Sequence, residues 1–197
     1  IGNRSFSDNP SVIIQLAKAF VDGQKHAGMT SVGKHFPGHG FIHEDSHEKI
    51  SIDNRSLLEM KNDIYCFESL INHGIGAVMP SHVIYKEADN HPASLSSFWL
   101  KDQLRKRFNF KGIIISDDLS MKGVADFIPD IYDRVSHALT AGCDIVLICN
   151  KPKDVDKLLD QVDHDDFTDL DLSHLRIKKN QNPTIDGLHV EDVKNLM

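Results

Sequence analysis

The sequence predicts an α/β protein built on a parallel sheet. Three observations predict it: amphipathic helical stretches alternate with short apolar runs, Gly or Pro punctuates the joins, and polar clusters follow the apolar runs rather than precede them. Parallel neighbours need crossover connections, which the intervening helices supply. Asp8-Asn9-Pro10 is a helix start, and Val12, Ile13, Leu16, Ala17, Phe20 and Val21 repeat at helical spacing until Gly28 stops the run. Met29 to Gly33 then leads to Lys34-His35, which suits a buried strand with polar groups at its end. Leu57, Met60, Ile64, Phe67 and Ile71 mark a second helix closing at Gly74, followed by the strand Ile75-Gly76-Ala77-Val78-Met79. Ser96 or Ser97 caps a third helix running to Phe108, and Gly112-Ile113-Ile114-Ile115-Ser116 is the next strand. A helix near Ile131 to Leu139 precedes the strand Asp144 to Cys149, and a last helix spans about Val155 to Val162. The polar clusters after the strands are Lys34-His35, Ser81-His82, Asp117-Asp118 and Asn150. In α/β sheets that is where ligands bind.

The 197 residues fit one ordinary domain, and no apolar run reaches the length of a helical membrane span. Lys and Arg number 22 against 29 Asp and Glu, so the net charge of -7 disfavours nucleic acid as a partner. Cys66, Cys143 and Cys149 make an odd count, and the last two lie in or beside an apolar run. They read as reduced core thiols in a cytoplasmic protein. Residues 1–162 are expected to form the folded unit, and 163–197, with clustered aspartates and few large apolar residues, an acidic, polar tail. Ile1-Gly2 reads as the end of a strand whose beginning lies upstream, so the chain is expected to be part of a larger unit.

Two chemistries compete for the polar segment from Gly33 to His47. His43-Glu44-Asp45-Ser46-His47 matches H-E-x-x-H, in which two histidines one helical turn apart bind zinc and the glutamate is the base. That would make a zinc hydrolase, but Pro37, Gly38 and Gly40 break helix before the motif, and no third ligand follows at a recognised interval. The other reading is an irregular loop in which Asp45 orients the ring of His47 and leaves its second nitrogen free to give or take a proton; an unrelated exposed pair is the plainer alternative. Asp117 follows a buried strand. It either caps what comes next or serves as a nucleophile toward a sugar's anomeric carbon.

Lys34-His35-Phe36-Pro37-Gly38-His39-Gly40, Asp45-Ser46-His47, Met79-Pro80-Ser81-His82-Val83, Ser116-Asp117-Asp118-Leu119-Ser120-Met121 and Ala141-Gly142-Cys143-Asp144 occur in that order. Together they resemble the bacterial β-N-acetylhexosaminidases of glycoside hydrolase family 3, of the cytoplasmic cell-wall-recycling type. The resemblance covers Ile1 to about Val162. It implies a portion of a (β/α)8 TIM barrel, about four or five βα units, with the upstream strands missing. It also implies retaining removal of terminal non-reducing N-acetylglucosamine from peptidoglycan-derived muropeptides or related oligosaccharides, without a cofactor or metal. In these roles Asp117 is the nucleophile, His47 the general acid/base assisted by Asp45, and Arg4, Lys34 and His35 hold the sugar. The alternative is a truncated half-barrel, inert or dependent on complementation, that associates through exposed barrel edges. His82 is expected to support its loop or touch substrate, Trp99 to sit in the core, and His26, His73, His91 and His137 to carry no function.

Overall fold

The computed structural model describes residues 4–42 and 50–161. Helix α1 (Pro10–His26) opens on Asn9, whose side chain accepts from the Ser11 N–H, and buries Ala17 and Val21. Strand β1 (Val32–Phe36) starts three residues later than the periodicity predicts and carries Lys34 and His35 within it. A short strand β2 (Ser51–Asp53) follows, then helix α2 (Lys61–His73). Leu57 lies in a turn before α2, where Ser56 and Glu59 bond each other reciprocally as a capping box. Gly74 ends α2 at φ 91°, a conformation that favours glycine.

Strands β3 (Ala77–Pro80) and β4 (Val83–Tyr85) lead through a 3₁₀ turn at Ala93–Leu95 to a π-helical segment, Phe98–Arg107. The sequence predicts an α-helix there. The Ser96 hydroxyl does cap it, accepting from the Trp99 N–H. Strand β5 (Ile113–Asp118) is longer than expected and includes both aspartates. Helices α3 (Lys122–Phe127) and α4 (Ile131–Ala141), strand β6 (Ile145–Leu147) and helix α5 (Pro152–Gln161) complete the order. The expected 163–197 tail lies outside the described residues.

The main sheet is parallel, in the order β1-β3-β5-β6, with Val32 opposite Ala77, Ala77 opposite Ile113, and Ile115 opposite Ile145. The class is α/β, and the sheet is an arc of a (β/α)8 barrel. Strands β2 and β4 form a separate parallel pair, unforeseen because three-residue strands leave no usable period. Outside the arc, Phe36 packs edge-on against Phe67 and Trp99, with ring centroids 5.3 and 5.8 Å away, and Tyr85 lies 5.3 Å from Trp99. Trp99 is fully buried, a core residue as expected.

At the entry to β5, Arg105 donates to the carbonyls of Phe110 and Gly112 and to the Asp144 carboxylate, which also accepts from the Ile114 N–H at 2.7 Å. Gly112 is required there because a Cβ would stand 2.3 Å from the Gly76 carbonyl oxygen. This lock aligns β5 with β6 and so sets where β5 ends. Cys66 and Cys143 are buried free thiols, but Cys149 is exposed: β6 stops at Leu147, so the apolar run leaves the sheet before reaching it.

Candidate active site

The carboxyl ends of β1 and β5 come together. Ser116 is fully buried and its hydroxyl accepts from the Leu147 N–H at 3.0 Å, tying β5 to β6 one residue before Asp117. Asp118 then spends its carboxylate on structure: Oδ1 accepts from the N–H groups of Ser120 and Cys149, both at 2.9 Å, and Oδ2 from the Ser120 hydroxyl at 2.8 Å. Asp117 is different. Among the described residues its Oδ1 accepts from the adjoining Asp118 N–H at 2.8 Å, and Oδ2 faces His35 Nε2 across 3.6 Å, too far for a hydrogen bond. Its side chain is 21% exposed, so a reactant can reach it.

At the end of β1 the register against β3 shifts between Lys34 and Phe36, and the Lys34–His35 and Phe36–Pro37 peptide bonds are cis. Phe36 plugs the core, and the loop beyond it is fastened twice. The buried Tyr85 hydroxyl donates to the Gly38 carbonyl at 2.7 Å. On the other side, a Cβ on Gly38, at φ 149°, would stand 2.5 Å from the Cβ of Asp63. Arg55 completes the fastening: it grips the fully buried Asp53 through Nε and Nη2, reaches Asp63 with Nη1 at 2.8 Å, and lies 4.3 Å from the centroid of Phe41. Sequence reasoning missed Arg55 and Tyr85. The available signal was Asp53, a carboxylate alternating with Ile52 in Ser51-Ile52-Asp53, which needs a cation once buried.

Arg4, Lys34, His35, His39, Arg55 and Asp63 form the polar end of one cavity of about 700 Å³, whose remaining lining is largely apolar and comes chiefly from α1 and α2. Asp117 is not in its wall and adjoins it through His35. Burial pushes the His35 pKa down to about 4, against the opposing pull of Asp117 and with smaller help from Lys34, His39 and Arg4. His35 is therefore neutral at pH 7. Burial lowers His39 as well. Within the cavity, Lys34 and Arg4 supply cationic donors, and the neutral imidazole supplies one donor or acceptor, a set suited to sugar hydroxyls.

The structure thus brings together Arg4, Lys34, His35 and Asp117 from the expected set. Asp45 and His47, and with them the whole H-E-x-x-H run, lie outside the described residues. Among the described residues no three His, Cys, Asp or Glu side chains gather as a metal site. His82 is wholly buried and bonded to Ser94 and to the Asp118 carbonyl, which makes it a support of the β5 end. His26 and His137 bond the carbonyls one turn back, and His73 and His91 pair with Asp22 and Asp89.

A family model described as the glycosyl hydrolase family 3 N-terminal domain matches residues 1–179. A β-hexosaminidase of Thioalkalivibrio sulfidiphilus is 47% identical over 163 residues, 83% of this chain and 47% of that protein. One from Psychromonas ingrahamii is 49% identical over 82% of this chain and 48% of its own length. The crystal structure of native NagZ from Neisseria gonorrhoeae aligns with TM-score 0.75 and 44% identity, covering 93% of this chain and 48% of that one. The same protein in complex with N-trifluoroacetyl-D-glucosamine aligns with TM-score 0.76 and 45% identity, over 89% of this chain and 48% of that one. The chain spans about half the length of the curated relatives it matches. With the parallel arc, the polar strand ends and a family model matched over most of its length, this chain belongs to glycosyl hydrolase family 3.

Proposed function

We propose that the chain carries the nucleophile and part of the sugar pocket of a retaining exo-β-N-acetylglucosaminidase. One observation carries the reading: at the end of β5, Asp118 is consumed by structural hydrogen bonds, while among the described residues Asp117 Oδ2 accepts none and lies beside a cavity lined in part by Arg4, Lys34 and His35. The β-hexosaminidase relatives, and the NagZ complex with an N-acetylglucosamine analogue, support the class of sugar.

In this reading the Asp117 carboxylate attacks the anomeric carbon, and the bond to the leaving oxygen breaks as His47 protonates it. A glycosyl ester on Asp117 results. His47, oriented by Asp45, then removes a proton from water, which displaces the carboxylate and gives N-acetylglucosamine with retained configuration. His35 stays neutral throughout, so it donates to the sugar without forming an ion pair with Asp117 that would compete with attack. The proposed substrates are terminal N-acetylglucosaminides of peptidoglycan-derived muropeptides, and the proposed compartment is the cytoplasm.

A second reading rests on the open arc. Edge strand β1 and helix α1 leave Leu16, Phe20 and Val32 exposed, which suits a half-barrel that works only once that side is covered. The deciding experiment incubates the purified protein with a chromogenic N-acetylglucosaminide and with a slowly turning-over fluorinated analogue. Turnover, with the label on Asp117 by peptide mass spectrometry, is expected. Label on any other residue overturns the assignment, and turnover by this chain alone overturns the half-barrel reading.

A further inference from the structure

Asp117 offers two carboxylate oxygens, and the fold treats them unequally. Oδ1 accepts from the Asp118 N–H, while Oδ2 points toward His35. Which oxygen is left for chemistry therefore depends on how residue 118 is held. Three of its holds are visible in the loop itself: the carboxylate bonds to Ser120 and Cys149, and the Leu119 N–H donates to the Leu147 carbonyl at 2.8 Å. The fourth comes from a different strand end. His82, just beyond β3, is fully buried, and its Nε2 lies 3.0 Å from the Asp118 carbonyl oxygen.

A carbonyl only accepts, so Nε2 carries the proton. Burial holds the His82 pKa below its ordinary value, against smaller opposing pulls from Asp117 and Asp118, which leaves Nδ1 as an acceptor at neutral pH. The partner there is the hydroxyl of Ser94, 2.6 Å away and itself fully buried in the 3₁₀ turn. The relay reads in one direction: Ser94 Oγ–H to His82 Nδ1, and His82 Nε2–H to the Asp118 carbonyl. The carbonyl and N–H of the 118–119 peptide are thus fixed from opposite neighbours, β3 by way of His82 and β6 by way of Leu147. The Asp118 N–H belongs to the preceding peptide; with residue 118 held on its carboxyl side by that fixed unit and through its own carboxylate by Ser120 and Cys149, this N–H stays aimed at Asp117 Oδ1.

We propose that His82, held by Ser94, is a positioning residue that selects Asp117 Oδ2 as the attacking oxygen by fixing the 118–119 peptide and, through residue 118, the N–H that Asp117 Oδ1 accepts. It touches neither the cavity nor the reacting carboxylate. This inference rests on the reading of Asp117 as a glycosidase nucleophile, but it assigns a role to a buried pair outside the sugar pocket. No proton leaves His82 during the reaction, so its contribution is orientation alone.

The test compares wild type, His82→Leu and His82→Gln, each checked first for folding by circular dichroism and urea midpoint. The observable is the rate at which the fluorinated N-acetylglucosaminide labels Asp117, alongside kcat and KM. In folded His82→Leu, labelling and kcat are expected to fall about 10²-fold, the cost of a misplaced reacting group, with KM within about twofold of wild type. Gln presents an N–H near the position of Nε2 and is expected to restore most of the rate. Leu labelling Asp117 at the wild-type rate, or Gln failing to rescue while folded, overturns the proposal. Nitrogen NMR of the histidine rings reads the same arrangement without turnover and decides the case if Leu does not fold: a single proton on Nε2 of His82 at pH 7 is expected, and a proton on Nδ1 overturns it. Label appearing on a residue other than Asp117 in wild type instead sinks the glycosidase reading, which distinguishes the two failures.

Discussion

At the end of β5, Asp118 has both carboxylate oxygens engaged, and its backbone is held from two neighbouring strands. At the end of β1, His35 keeps a buried ring nitrogen, Nδ1, with no hydrogen-bond partner among the described residues, and Lys34 is exposed at the cavity. The two strand ends divide the work. The β5 end spends its polar groups on rigidity and leaves one oxygen over. The β1 end leaves its polar groups unspent and takes its rigidity from a second tier of residues: Phe36 in the core, Tyr85 on the Gly38 carbonyl, and Arg55 between Asp53 and Asp63. A nucleophile needs a fixed direction, whereas groups that bind a polyhydroxylated ligand need unfilled hydrogen-bonding capacity.

The largest effect follows from exchanging the roles of the paired aspartates. Asp117→Asn is expected to lower kcat by at least about 10³-fold while leaving the urea midpoint near wild type, because only one hydrogen bond from a neighbouring N–H is altered. Asp118→Asn is expected to act first on stability. It puts an amide among three donors and lowers stability by about 2 kcal/mol or more, and because those bonds also hold the residue whose N–H faces Asp117, kcat of the folded enzyme falls too, by less than in Asp117→Asn. Steady-state rates and urea titrations on both variants decide it; if Asn at 118 destroys turnover without loss of stability, the two aspartates are misassigned.

Next in size is the anchor of the β1 loop. Arg55→Ala strands the Asp53 carboxylate, 0% exposed, without its cation, at a cost of about 3–5 kcal/mol. Asp63→Ala breaks only the more exposed arm and is expected to cost under about 1 kcal/mol. Equal losses in denaturant titrations would mean that the two arms are not the buried and rim halves of one clamp.

Acidification probes the unspent end. The His35 pKa lies at 6.5 in the unfolded chain and about 4 when folded, so between those values the unfolded chain binds more protons. Its neutral burial is without penalty above the unfolded value and destabilises increasingly as pH falls toward 4. The full difference corresponds to roughly 3 kcal/mol. His39 and His82 are shifted in the same direction and add to the slope. His35→Asn cannot take up that proton, so its unfolding free energy is expected to fall less steeply between pH 7 and pH 4.5 than that of wild type. Parallel slopes would remove His35 from the account.

Much of the frame was legible in the sequence, because Val12 to Val21 repeat at helical spacing, Ile113 to Ile115 form a continuous apolar run, and Asn9, Gly74 and Ser96 are local punctuation. The motifs also marked Arg4, Lys34 and His35, which line one cavity, and Asp117, which adjoins it through His35. What was not legible depends on contacts distant in sequence. Nothing local says that Asp118 meets Cys149, that Tyr85 meets Gly38, or that Arg55 bridges Asp53 to α2. The π-helical geometry of Phe98–Arg107, a segment that buries Trp99 and Leu104, has no local sequence signal either.

An effect smaller than loss of the Arg55 clamp tests whether the second tier matters to the first. Tyr85→Phe keeps the ring that packs on Trp99 and removes only the hydroxyl that donates to the Gly38 carbonyl and meets Ser81 at 3.0 Å. Loss of that buried donor leaves a carbonyl unsatisfied and is expected to cost about 1–3 kcal/mol. If the β1 end is held by this bond, the damage reaches the sugar before the nucleophile. KM for an N-acetylglucosaminide should rise several-fold, and saturated labelling of Asp117 should proceed near the wild-type rate, because β5 and its His82 support are untouched. A variant that loses kcat but keeps KM would show that the two strand ends are coupled rather than separately built.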